Sequence, residues 1–269
     1  MNRSICLLAA CVLCLFATHA AVTAASAPQF VFHKGETMTY TVSQKMGGAA
    51  GKSGSYSADL NGKAVLRVLS VQTDGTAKVE MTTTGTGRMA VSGQSMPLSS
   101  KRPQHIVLVV KPNGAILQLL DAAGNKTSFS QGMENMMDAG ALAQVPIIST
   151  YALFGLYLSS KLPTPGGKWT GYHQTESATS PGGQTWNVQL KRTPVSFTFL
   201  GQRTFKGQSR LAFAYALPAD RGGAKVGIPT TAYFDAAKGR LVALESKLSD
   251  AVGKVNISVT LAASGKVGP

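Results

Sequence analysis

Val65-Leu66-Arg67-Val68-Leu69-Ser70-Val71-Gln72-Thr73-Asp74-Gly75-Thr76-Ala77-Lys78-Val79-Glu80-Met81 is the stretch from which the fold can be read. Ala77, Val79 and Met81 alternate with Lys78 and Glu80, which is the period of a strand with one buried and one wet face. Thr73-Asp74-Gly75 separates this run from the run at 65–71. Gly accepts positive φ without a steric penalty and Asp bonds nearby backbone, so the pair closes a tight turn. The two runs predict an antiparallel hairpin.

The same grammar extends in both directions. Met38, Tyr40 and Val42 alternate with Thr37, Thr39, Thr41 and Ser43. Trp186, Val188 and Leu190 alternate with Asn187, Gln189 and Lys191, and Val255, Ile257, Val259 and Leu261 with Asn256, Ser258, Thr260 and Ala262. Pro112-Asn113-Gly114 joins the runs at 106–110 and 115–120 as a hairpin, and the segment 235–239 does the same for 231–234 and 240–248. The glycines and serines of 46–57 read as a flexible loop.

The middle of the chain departs from this pattern. Met133, Met136, Met137, Ala141 and Leu142 fall at helical spacing, Pro146 interrupts, and a second apolar stretch runs over 147–158. The breaker cluster Leu162-Pro163-Thr164-Pro165-Gly166-Gly167 ends it. The expected class is therefore α+β: mainly β, with helices over about 129–160 packed on an apolar face of curved antiparallel sheet. The flanking halves repeat one order of elements, with Glu36 matching Lys168, Val65 matching Val195 and Gly114 matching Gly239. This predicts two similar β-meanders at 28–127 and 163–264, a helical segment at 128–162 and a tail at 265–269. Whether they form one sheet or two is open at this level.

Residues 1–25 read as an export signal. Arg3 precedes an apolar stretch from Ile5 to Phe16, and small residues follow to Ala25. The expected location is the periplasm or the outside of the cell. The rival reading is a lipid anchor at Cys11, since Leu8-Ala9-Ala10-Cys11 resembles the pattern before a lipid-modified cysteine. Cys6, Cys11 and Cys14 are the chain's cysteines, so a mature chain cut near residue 25 holds no disulfide and no thiol nucleophile. No later stretch is long enough in apolar residues to span a bilayer as a helix.

Charge and side-chain chemistry narrow the function. Across 269 residues, 26 Lys+Arg stand against 12 Asp+Glu, a net +14 that falls to +13 without Arg3. Gly47-Gly48-Ala49-Ala50-Gly51-Lys52-Ser53 has Met46 where a phosphate loop needs its first glycine. His33, His105 and His173 are isolated from one another. There is no Gly-x-Ser-x-Gly elbow, and none of the acids stands out as buried. No catalytic residue, metal site or cofactor is expected, and the protein reads as a non-enzyme. Phe197 and Phe199 share one strand parity, which argues for core and against a nucleic-acid surface.

Three motifs recur together: Lys-Gly-x-x-x-x-Tyr at 34–40, Asp-Gly-x-Ala-x-Val at 74–79 and Leu-Pro-x-x-Gly-Gly-x-Trp at 162–169. With the exported start, they make the chain resemble uncharacterised secreted or lipid-anchored bacterial β-proteins with a duplicated meander. The resemblance covers most of the mature chain and implies no catalytic residue. By architecture the chain is also similar to periplasmic half-barrels of the lipoprotein-carrier type, which implies an acyl-chain site. Met133, Met136, Met137, Leu142, Ile147, Ile148, Leu153, Phe154 and Leu156 are the candidate lining of an apolar pocket between helix and sheet, or else a plug of the open sheet face. The expected function is binding of an apolar or lipid-like ligand in the cell envelope. The alternative is a structural or adaptor protein whose basic surface meets a partner or an anionic membrane surface.

Overall fold

A computed structural model of the chain describes residues 27–49, 55–99, 104–120, 156–179, 187–221, 224–250 and 253–266. Its strands are β1 (Glu36–Ala49), β2 (Ser55–Val71), β3 (Ala77–Val91), β4 (Gln94–Ser99), β5 (Gln104–Val110), β6 (Ile116–Leu120), β7 (Lys168–Thr179), β8 (Asn187–Phe205), β9 (Gln208–Arg221), β10 (Ala224–Asp235), β11 (Arg240–Asp250) and β12 (Gly253–Lys266). They form one twelve-stranded sheet in the order β6-β5-β3-β2-β1-β12-β11-β10-β9-β8-β7, with β4 paired beside β5 on β3. The first and last strands of the chain thus pair at the middle of the sheet. The two edges, β6 and β7, are consecutive in sequence. The sheet curls until these edges face each other in a nearly closed, barrel-like form.

The turns are built as their residues require. Gly75 sits at φ +80 between β2 and β3, and the Asp74 carboxylate accepts bonds from the Thr76 amide at 2.9 Å and hydroxyl at 3.0 Å. Those bonds hold the exposed Asp74 pKa below its ordinary value. Between β5 and β6, Asn113 Oδ1 accepts the Ala115 amide at 3.1 Å and Gly114 takes φ +88. Curvature comes from bulges such as those at Thr39/Tyr40 and Val68/Ser70. It also needs close backbone approach: a Cβ at Gly62 would lie 2.6 Å from the Thr84 carbonyl oxygen, so only glycine lets β2 and β3 bend there.

The expected α+β class is overturned, because every element among the described residues is a strand. Of the helical stretch expected at 129–160, residues up to 155 lie outside the described residues; 156–160 contain no helix. Leu156 and Leu158 are buried with Tyr157 half-buried between them, a period of two and not 3.6. The Leu158 amide donates at 3.0 Å to the Asn113 carbonyl, at a strand-end turn, so tertiary partners take the backbone that a helix would bond internally. A short apolar run suits either conformation. The loop expected at 46–57 also changes: its two described ends extend β1 and β2, with Gly47 opposite Ser57 and Gly48 opposite both Tyr56 and Gly253. A ladder on both sides of β1 outweighs the weak strand propensity of glycine.

The inner face carries the core. Phe197, Phe213, Phe234, Leu66, Leu108, Leu241 and Leu244 are among its fully buried side chains. Phe197 and Phe199 both face inward, as their shared parity predicts.

Candidate ligand-binding site

One end of the sheet, here called its base, is closed. Residues before β1 cross it as a strap: the Phe30 amide donates to the Pro112 carbonyl at 2.7 Å and the Val31 amide to the Gly239 carbonyl at 2.8 Å. Phe30 stacks on Phe32 and meets Phe234 edge-on. Beneath the strap, Arg240 pairs with Glu36 at 2.7 Å, and the Tyr40 hydroxyl donates to the Leu241 carbonyl at 3.0 Å. Arg210 pairs with Asp235 at 3.3 Å. The remaining void beside Phe30, Tyr40 and Arg240 is about 10 Å³, barely the space of one water. No ligand fits there.

Farther along the strands the inner face changes character. Strand register sets Gln44 opposite Ile257, Ile257 opposite Ser246, Ser246 opposite Thr230 and Thr230 opposite Tyr215. All face inward and all are buried, so a polar belt crosses an otherwise apolar wall. Thr230 Oγ1 lies 2.8 Å from Ser246 Oγ and donates to the Ile228 carbonyl at 2.9 Å. Among the described residues the Tyr215 hydroxyl has no hydrogen-bond partner, and burial pushes its pKa well above the ordinary tyrosine value. One register step beyond the belt the wall is apolar again, with Met46 opposite Val255 and Ala58, and Ile228 opposite Leu217.

The edges meet at a seam. Gln174 of β7 accepts the Ile116 amide through Oε1 and donates to the Ile116 carbonyl through Nε2, both at 2.7 Å. One side-chain amide thereby imitates a strand neighbour for β6. Below it, the Trp169 indole donates to the Tyr157 carbonyl at 2.9 Å. His173, adjacent to Gln174, is buried, and its Nδ1 has no partner among the described residues.

The outer face carries a groove of about 580 Å³ across β12, β1, β2 and β3, with Thr41, Ser43, Asn61, Lys63, Thr84 and Ser258 in its lining. Hydroxyls, one amide and one ammonium line it, and no carboxylate does.

Of the residues expected to line a pocket, Met133, Met136, Met137, Leu142, Ile147, Ile148, Leu153 and Phe154 lie outside the described residues. Leu156 is described: it is fully buried in the base core, its carbonyl oxygen close to Gly114. Among the described residues two acids are buried, against the reading that none would be, namely Glu36 and Asp235. Each answers an arginine from a distant part of the chain, a pairing that linear sequence does not display. His105 lies 3.1 Å from the Thr82 hydroxyl. Among the described residues no three His, Cys, Asp or Glu cluster as metal ligands, and no helix is long and apolar enough to cross a membrane.

No family model and no curated protein matches the chain. Among solved structures, it is similar to a protein assigned as exported, of YmcC-like fold, from Bacteroides fragilis. Identity is 12% over 89% of this chain and 100% of that one, with a TM-score of 0.36. The hypothetical lipoprotein YmcC of Escherichia coli gives 13% identity over 87% of this chain and 90% of its own, with a TM-score of 0.29. Lipovitellin, whose structure concerns lipid–protein interactions, gives 10% over 88% of this chain and 26% of its own, with a TM-score of 0.37. The two bacterial proteins are of the exported β-rich kind that the sequence motifs resemble. The scores describe a likeness of shape, and no function follows from them.

Proposed function

We propose that this is an exported, non-catalytic binding protein that holds an apolar, lipid-like ligand against the inner face of its curved sheet, beyond the polar belt. The observation that carries the reading is the contrast between the two ends of the interior. The base is packed to a void of about 10 Å³, whereas beyond the belt half-buried Met46 and buried Leu217, Ile228 and Val255 form an apolar wall bordered by hydrogen-bonding groups. That is the composition of a small-molecule site: mostly apolar, with a few placed polar groups. The buried carboxylates of Glu36 and Asp235 are each engaged by an arginine, which supports a binding role over general acid–base chemistry. Native mass spectrometry of protein purified from its own envelope should show lipid adducts, and Ile228→Asp should remove them. Absence of adducts, together with no uptake of a hydrophobic dye by delipidated protein, overturns the proposal.

A second reading rests on the outer groove. Lys63 lies within it and Lys45, Arg88, Lys247 and Lys254 are exposed on the same region of sheet, with Asp59 already paired to Lys45 at 3.2 Å. Such a surface suits an envelope adaptor that meets an anionic partner. Salt-sensitive association with envelope fractions supports it; indifference to salt sinks it.

A further inference from the structure

We infer that the polar belt recognises the uncharged carbonyl of an acyl ester, with the Tyr215 hydroxyl as its donor. The inference rests on the apolar-ligand reading above and specifies the chemistry of the ligand's polar end.

Tyr215 is 6% exposed, and among the described residues its hydroxyl is a buried side-chain atom without a hydrogen-bond partner. A donor left unmade in an apolar interior is a standing destabilisation, and native proteins retain such groups chiefly where something else satisfies them. The ring packs against Phe197 with centroids 4.9 Å apart, which limits its freedom to turn toward another acceptor. The adjacent belt hydroxyls, Thr230 and Ser246, are bonded to each other, and Thr230 also donates to the Ile228 carbonyl. Tyr215 is thus the belt donor left over for a ligand.

The absence of a countercharge selects the ligand class. Among the described inward-facing residues of the belt and the apolar wall beyond it, none is a cation. The paired arginines, buried Arg240 and half-buried Arg210, sit at the base and face Glu36 and Asp235. A free carboxylate would be buried without a partner, at large desolvation cost. A pure hydrocarbon would leave the tyrosine donor unmade. An ester carbonyl satisfies the donor, and its acyl chain then lies along Leu217, Ile228 and Val255 on the apolar wall.

The test uses the mature full-length protein and displacement of a bound hydrophobic dye by monodecanoin, sodium decanoate and decane. Wild type should bind monodecanoin most tightly. Tyr215→Phe should weaken monodecanoin about tenfold and leave decane unchanged. It should also raise the melting temperature of the ligand-free protein, because the partnerless hydroxyl is gone. A merely structural tyrosine would give the opposite thermal shift. Tightest binding of decanoate, undiminished binding of monodecanoin by Tyr215→Phe, or a lower melting temperature of that variant each overturns the ester inference and leaves the apolar-ligand reading standing. Binding of none of the three probes by wild type overturns both.

Discussion

Glu36 and Arg240 show how much rests on single residues of the base. Their 2.7 Å pair is almost wholly buried, with side-chain exposures of 7% and 10%. Removing one partner leaves a charge without compensation in a poorly solvated place. Arg240→Ala should therefore destabilise by about 3–5 kcal/mol, read as a lower urea midpoint. The double variant Glu36→Gln/Arg240→Met should recover much of that loss, since it removes both charges. His173 acts through pH instead. Burial holds its imidazole pKa below the ordinary 6.5, so as pH falls the unfolded chain takes up a proton that the folded chain resists. Stability from this group is full above about pH 6.5 and declines below it. Melting curves at about pH 7.5 and about pH 5 should show a larger drop for wild type than for His173→Gln.

At the scale of elements, the seam differs from every other strand junction. β1 and β12 share a ladder running from Glu36 to Gly48, while β6 and β7 meet, among the described residues, through the Gln174 side chain on one residue of β6. Gln174→Ala strips the Ile116 amide and carbonyl of those partners and should cost about 2 kcal/mol. Hydrogen exchange should show Ile116 opening faster while Val79, in central strand β3, keeps its protection. Equal slowing or quickening at both sites would mean that the edge does not open separately. The hairpin turns were legible beforehand at Asp74-Gly75 and Asn113-Gly114, because Asx side chains and positive-φ glycines act locally. Strand lengths were not. β2 runs through Gly62 and β3 through Gly85 and Gly87, where glycine weakens the local strand pattern and cross-strand pairing restores it.

At the scale of the whole molecule, the described residues form a sheet curled over its own core, with the first and last described strands paired at the centre. Joining its halves through β1 and β12 commits both to one interior, so the base core draws residues from both. The export signal read at residues 1–25 predicts that the chain loses its leader. Intact mass of protein from its own envelope should place the new N-terminus between residues 21 and 26; a lipid-bearing Cys11 would give a heavier chain and overturn that cut. With the leader gone no cysteine remains, so reductant should leave the melting temperature unchanged.

Sequence alone determined what depends on neighbours in the chain: the alternating faces, the turn glycines, the antiparallel hairpins and the basic balance. Only the tertiary structure decided the all-strand character of the described residues, the single curled sheet, the buried Glu36–Arg240 pair, the Gln174 seam and the unpartnered Tyr215 donor. The physical reason is range. Periodicity and turn chemistry are properties of a few adjacent residues. Ion pairs, belts and seams arise when distant strands are brought into register, and an apolar run such as 156–158 takes its conformation from the partners it finds there.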